Sequence, residues 1–305
     1  MKEPPLQLFT WGLTAILAVA AMTSAHAQLC RQYYGGRITE NFNALPVSGT
    51  TNTAATLPSG WGFSEAGSSG NLTYSASDGA SSSGQTYSFG TGTSTDRAFG
   101  EVTSTTVQST LGICLVNATG SPIVRFAVGY TGEQWRLGDP AAAVDKLEFQ
   151  YSKDPGATLS SGIYINVDAL DFSSPNKAAV AGPLNGNSAT NRTVFPPVLI
   201  EPSAPIPHGQ ILFMRWLPVL IAGNNDGLAI DDWSFDAGTP CNLDLDLNGH
   251  IDPLTDGVML MRAMLGLTGT AVTNNALGDG ATRTDWTEMA FHLNAACSTN
   301  FSIGP

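Results

Sequence analysis

The chain has 305 residues, of which only 12% are charged, and 25 Asp and Glu against 13 Lys and Arg give a formal net charge of −12. A balance this acidic, with no cluster of Lys and Arg, argues against a nucleic-acid partner, because phosphate binding needs concentrated positive charge. After the N-terminal segment no stretch approaches the roughly 20 apolar residues of a transmembrane helix, so no membrane span is expected.

Taken in chain order, Lys2 is followed by an apolar run from Trp11 to Ala21 and by Ala25-His26-Ala27. This is the pattern of an export signal ending in a small-x-small cleavage site. Residues 1–27 are read as a signal peptide and Gln28 as the first residue of a secreted, extracellular or cell-surface-associated protein. About 278 residues follow, enough for one large and one small domain. Cys30, Cys114, Cys241 and Cys297 permit disulfides in an exported chain, in any of three pairings. Keeping each bridge inside one domain joins Cys30 to Cys114 and Cys241 to Cys297.

Between Phe42 and Phe235 short alternating runs replace helical periodicity. Val124, Phe126, Val128 and Tyr130 alternate with Arg125, Ala127 and Gly129; Leu147, Phe149 and Tyr151 alternate with Glu148 and Gln150. Half-buried strands read this way. Further runs are Ile163–Val167, Gln210–Leu217 and Leu228–Phe235, separated by turn clusters such as Asp154-Pro155-Gly156 and Gly223-Asn224-Asn225-Asp226-Gly227. The expected class is mainly β, a jelly-roll-like antiparallel sandwich over residues 28–238.

Within it, Tyr130-Thr131-Gly132-Glu133-Gln134-Trp135-Arg136 is dense in aromatic and charged groups. Tyr130, Glu133, Trp135 and Arg136 could stack on a sugar and bond its hydroxyls, although a strand with a core Trp and a surface ion pair has the same composition. No catalytic motif appears. Glu101, Glu133, Glu148, Asp168 and Asp171 are the acids from which a glycosidase pair would be drawn, and His208 is expected to cap a turn. Glu40-Asn41-Phe42, Leu57-Pro58-Ser59-Gly60-Trp61 and Gly227-Leu228-Ala229-Ile230-Asp231-Asp232-Trp233 resemble the first and last strands of cleaved-adhesin-like and MAM-like domains. The resemblance implies carbohydrate or cell-surface recognition. It also places Glu40 or Asn41 beside Asp231 or Asp232 as a second metal candidate, with one of the two adjacent Asp residues facing inward.

Alternation stops at Ala237-Gly238-Thr239-Pro240, and residues 241–305 carry six Asp and one Glu against two Arg. Asp244, Asp246 and Asn248 occupy alternate positions with Gly249 at the sixth, the spacing by which a calcium loop converges its oxygens. His250 would offer its backbone carbonyl, Ile251 would tie the loop to the core, and Asp252 stands ninth. Asp244-x-Asp246-x-Asn248-Gly249-x-Ile251 followed by an apolar helix resembles the first half of a type I dockerin, an EF-hand-like module. The closing acid belongs at Thr255 and falls one place later, at Asp256. The second repeat places Asp279, Ala281 and Arg283 at ligand positions and is read as metal-free. Asp285-x-x-Glu288 opens a second helix through Trp286, Ala290 and Leu293. The resemblance implies calcium as cofactor and docking onto a cohesin-like partner or a second copy, through apolar residues such as Met261, Met264 and Leu265. The favoured reading is a non-catalytic recognition or scaffold protein; its rivals are a polysaccharide hydrolase component and a structural subunit of an extracellular matrix or filament.

Overall fold

A computed structural model describes residues 30–177, 180–238, 242–297 and 299–303. Residues 1–27, read above as a signal peptide, and Cys241 lie outside them. The strands are β1 (Arg31–Tyr33), β2 (Ile38–Glu40), β3 (Asn52–Thr53), β4 (Trp61–Ala66), β5 (Thr73–Ser77), β6 (Gln85–Phe89), β7 (Ala98–Val102) and β8 (Gln108–Asn117). They continue with β9 (Phe126–Leu137), β10 (Lys146–Ser152), β11 (Ile165–Asn166), β12 (Phe172–Ser173), β13 (Gly182–Pro183), β14 (Arg192–Ile200), β15 (Ile211–Pro218) and β16 (Gly227–Asp236).

One sheet runs β1-β8-β15-β10-β11, with β4 also on β8 and β12 on β10; the other runs β13-β9-β16-β7-β6-β5-β3, with β14 on β9 and β2 on β16. Pairing is antiparallel except for β1 with β8 and β5 with β6. The two sheets enclose one core in which Trp61 stacks on Trp216 at 5.9 Å and meets Trp233 edge-on at 5.3 Å. Aromatic pairs at these spacings add to the area they bury. The expected sandwich is therefore present.

Local chemistry explains the elements. On β9, Phe126, Val128 and Tyr130 enter the core, as their alternation requires. The run Ile163–Val167 is reduced to the two residues of β11, and Ile163 is 77% exposed at the sheet edge. Gly112 admits no side chain, since a Cβ there would lie 2.4 Å from the Met214 carbonyl oxygen on β15. Cys30 and Cys114 are disulfide-bonded, clamping the residue before β1 to β8. Cys297 is also disulfide-bonded, and its expected partner, Cys241, falls outside the described residues.

Three α-helices among the described residues follow the sandwich: α1 (Asp256–Met264), α2 (Thr270–Thr273) and α3 (Trp286–Ala296). Among the described residues no helix is long and apolar enough to cross a membrane. The helices share a separate small core of Leu245, Met259, Val272, Trp286, Met289 and Leu293. The Asp285 carboxylate accepts from Thr287 N at 2.7 Å and starts α3, as a helix N-cap does. Gly266, at φ +84°, lies just past the end of α1, where only a glycine turns cheaply.

The helical unit is bound to the sandwich by polar contacts. Arg283, 2% exposed, donates to the carbonyl of Ala118 at 2.8 Å and, at 3.4 Å, to that of Leu245. His292 is fully buried, with its ring nitrogens 3.1 Å from Tyr34 O and 2.7 Å from Asn242 O. The Tyr34 ring stacks on Phe291 at 5.9 Å.

Candidate functional site

Asp244, Asp246 and Asp256 each direct a carboxylate oxygen to one place, all three within 4.8 Å of one another, and all three residues are buried. Backbone donors hold them there. Asp244 accepts from Asn248 N at 3.2 Å and Gly249 N at 2.9 Å; Asp246 accepts from Asn248 N at 3.2 Å and Gly278 N at 2.6 Å. Asp256 accepts from Leu245 N at 2.6 Å and Asp252 N at 2.9 Å. Gly249, at φ +92°, makes the sharp turn the loop needs. Burial and the carboxylates of Asp256 and Asp246 together push the Asp244 carboxyl above its ordinary value, against the hydrogen bonds from Gly249 and Asn248. Three like charges confined this closely need a counter-charge.

The donor set fits calcium. Oxygen ligands at 2.3–2.6 Å from the ion lie at most about 5 Å apart, which agrees with the observed spacing. Asp244, Asp246 and Asp256 would hold the ion, which would cancel their repulsion and fix the loop. The displaced closing acid is accommodated because Asp252 O accepts from both Thr255 N and Gly257 N, absorbing the extra residue in a turn.

Of the other acids in the loop, Asp252 is not in this group. Asp252 is exposed and caps its own turn, accepting from Leu254 N at 2.8 Å. Asn248 Oδ1 accepts from His250 N at 2.9 Å, and the His250 side chain is exposed. Ile251 does not tie the loop to the core: it is 64% exposed, and Leu245 fills that role. In the second repeat, Arg283 turns away from the carboxylates to the Ala118 carbonyl, while its backbone N–H and that of Thr282 donate to Asp246 O at 2.9 Å. The second segment thus braces the first loop.

Glu40, Asp231 and Asp232 do not converge in this way; among the described residues Asp244, Asp246 and Asp256 form the only such group. Glu40 instead accepts from Phe42 N at 2.9 Å, and Asn41 from Asn43 N at 3.2 Å. One of the two adjacent acids is buried, as expected, Asp231 at 4% exposure beside an exposed Asp232, but on the face of β16 opposite Leu228 and Ile230. Strand β16 buries Leu228 and Ile230, then Trp233 and Phe235, because a bulge at Asp231 and Asp232 shifts the alternation. Regular alternation, on which the inward-facing acid rested, does not hold there.

The strip from Tyr130 to Arg136 is no open sugar platform. Tyr130 is 2%, Glu133 1% and Trp135 0% exposed. Tyr130 donates to Leu170 O at 2.6 Å, Trp135 Nε1 donates to Glu133 at 2.9 Å, and Arg136 donates to the carbonyls of Gly79 and Ala80 at 3.1 Å. Gly186 lies so close over the Trp135 indole that a Cβ there would meet Nε1 at 2.3 Å. Of the other acids, Glu101 is buried and accepts from Thr103 at 2.6 Å, Glu148 and Asp171 share Lys146 at 2.9 and 3.0 Å, and Asp168 is exposed. His208 Nδ1 accepts from Gly120 N at 3.3 Å, the turn-capping role expected of it.

Sequence reasoning named Glu133 and Asp231 separately but did not bring them together as a buried pair on the outer face of neighbouring strands β9 and β16. Burial raises Glu133 to about 7 against the hydrogen bond from Trp135, and burial together with the nearby Glu133 carboxylate raises Asp231 to about 9 against the hydrogen bond from Asp232 N. Both folded values exceed the ordinary carboxylate range. Their contribution to stability is therefore complete below about pH 4 and is lost as pH rises through about 7 for Glu133. Glu133→Gln is expected to change stability little at pH 5 and to raise it by about 2 kcal/mol at pH 9. Urea unfolding at the two pH values checks this; an equal effect at both would contradict it.

No family model and no curated protein matches the chain. Solved structures it resembles include TmCBM61 in complex with β-1,4-galactotriose, at 13% identity and a TM-score of 0.26 over 46% of this chain and 70% of that one. Another is the enzymatically active domain of bacteriophage CBA120 tailspike protein 4, at 10% identity and a TM-score of 0.28 over 58% of this chain and 19% of that one. Likenesses this distant carry no argument about ligand or activity. The class that fold and site define is a mainly β, two-sheet protein bearing a small helical unit with a buried acidic triad.

Proposed function

We propose that the protein is a secreted, non-catalytic recognition or scaffold protein. Its jelly-roll-like sandwich binds carbohydrate or a cell-surface ligand, and a calcium-stabilised, dockerin-like module attaches it to a cohesin-like partner or a second copy. The convergence of Asp244, Asp246 and Asp256 carries this reading, since acids are rarely buried together without a compensating charge. The Cys30–Cys114 disulfide supports an oxidising compartment. Met261, Met264 and Leu265, at 63%, 72% and 76% exposure, leave one side of α1 apolar and open for docking.

The test is incubation of the intact chain with immobilised and soluble polysaccharides in calcium. Retention on a glycan without release of reducing ends is expected. Release of reducing ends that disappears in Glu133→Gln would replace this reading with the hydrolase, and polymers dissolved by chelator would replace it with the filament subunit.

A further inference from the structure

A groove of about 310 Å³ crosses the outer face of the sheet that holds β9, β14 and β16. It exists because two strands bulge beside each other. Strand β14 slips register at Pro196 and Pro197, and β16 slips at Asp232. Asp232 sits at φ +48°, a left-handed conformation that a residue with a side chain adopts at a cost. Between the bulges runs Gly129, where a Cβ would lie 3.0 Å from Phe195 O and Pro197 N, so the floor is bare backbone. Strain and bulges placed together commonly mark a ligand site.

The groove's charges are unusual for this chain. Arg37 and Arg192 line it, both are exposed, and neither guanidinium has a hydrogen-bond or ion-pair partner among the described residues. In a protein of net charge −12 with 13 Lys and Arg, two exposed arginines at one cleft form a local positive spot, the Arg192 charge also acting on Glu133 opposite it on β9. Asp232 also lines it as an exposed acceptor, and Val194, 64% exposed, adds an apolar surface.

We infer that this groove binds a carboxylate-bearing sugar chain, a polyuronate segment, with Arg37 and Arg192 taking the carboxylates, Asp232 accepting from ring hydroxyls and Val194 packing on the apolar face of a ring. An arginine fork matches a carboxylate in shape as well as charge. A uronate carries that carboxylate and hydroxyl donors on one ring, whereas the side chains of an acidic peptide bring carboxylates without hydroxyls for Asp232 to accept from. The inference rests on the glycan-binding reading above and names its site and ligand class.

Affinity electrophoresis of the full chain through gels containing polygalacturonate tests it. Nonspecific charge would exclude so acidic a protein from this matrix, so retardation reports specific contacts. Arg37→Ala and Arg192→Ala, both exposed substitutions, are each expected to weaken retardation about tenfold, a loss typical of one desolvated ionic contact. Arg125→Ala, outside the groove, is expected to leave it unchanged, and unchanged melting of each variant confirms folding. Retention on neutral glycans alone, insensitive to both groove variants, would overturn the polyuronate site and leave glycan recognition standing. Equal retardation by polyglutamate, lost in the same variants, would overturn the ligand class. Retention on no glycan of either kind would overturn both readings.

Discussion

Asp246→Asn is expected to lower the stability of the C-terminal unit by roughly 3 kcal/mol in excess calcium, the linkage energy of a site held at about a hundred times its dissociation constant. In a unit of this size that corresponds to about 10 °C or more in melting temperature. The substitution keeps the side chain's shape and one acceptor, toward Asn248 N, but sets an amide donor against Gly278 N, so one ligand charge and one hydrogen bond are lost. In EDTA the difference is expected to shrink to about 1 kcal/mol, the cost of the unmet Gly278 donor offset in part because two remaining carboxylates repel each other less than three do. Thermal melts of both chains in calcium and in EDTA provide the check. A gap of the same size in both media would mean that Asp246 acts only through its hydrogen bonds to Asn248 and Gly278.

Arg283→Ala is expected to cost about 3 kcal/mol and to uncouple the helical unit from the sandwich. The guanidinium is buried and donates to Ala118 O from one side of the joint and Leu245 O from the other. Its loss leaves buried carbonyls without donors, at about 1–3 kcal/mol for each such group, and opens a cavity. Opposing this, burial disfavours the guanidinium charge and lowers its pKa, so truncation also removes a desolvation cost. The unsatisfied carbonyls and the void outweigh it because the charge is already hydrogen-bonded. Scanning calorimetry is expected to show one coupled transition in the parent and two in the variant. Arg283→Met, which keeps most of the stem, is expected to fall between. A single unshifted transition in both variants would contradict the role assigned to Arg283.

The legible parts of this molecule are those where local pattern and tertiary burial agree. The alternation from Phe126 to Tyr130 and from Leu147 to Tyr151 became β9 and β10, each with its apolar side in the core. The acids at Asp244 and Asp246 met where their spacing predicts, and Asp256, out of register by one residue, was brought in by the turn at Asp252. Elsewhere the controlling contacts are long-range. No pattern near Tyr130 announces that Gly186, far along the chain, covers Trp135 and closes the surface. Nothing beside Arg283 signals that its partner is Ala118, 165 positions earlier. The bulge at Asp232 is legible only through its neighbours, since β2, β7 and β9 all pair with the strand that contains it. Ile251 was misplaced because the small core is filled by Leu245 and the helices, leaving the loop's own aliphatic residue outside.

Isothermal titration of the full chain with calcium, after exhaustive chelation, tests the central claim most directly. The account predicts saturable binding of one ion per chain in the wild type and its loss in Asp244→Asn and Asp246→Asn. A wild-type chain that takes up no calcium at millimolar concentration, while melting as cooperatively as before, would contradict it.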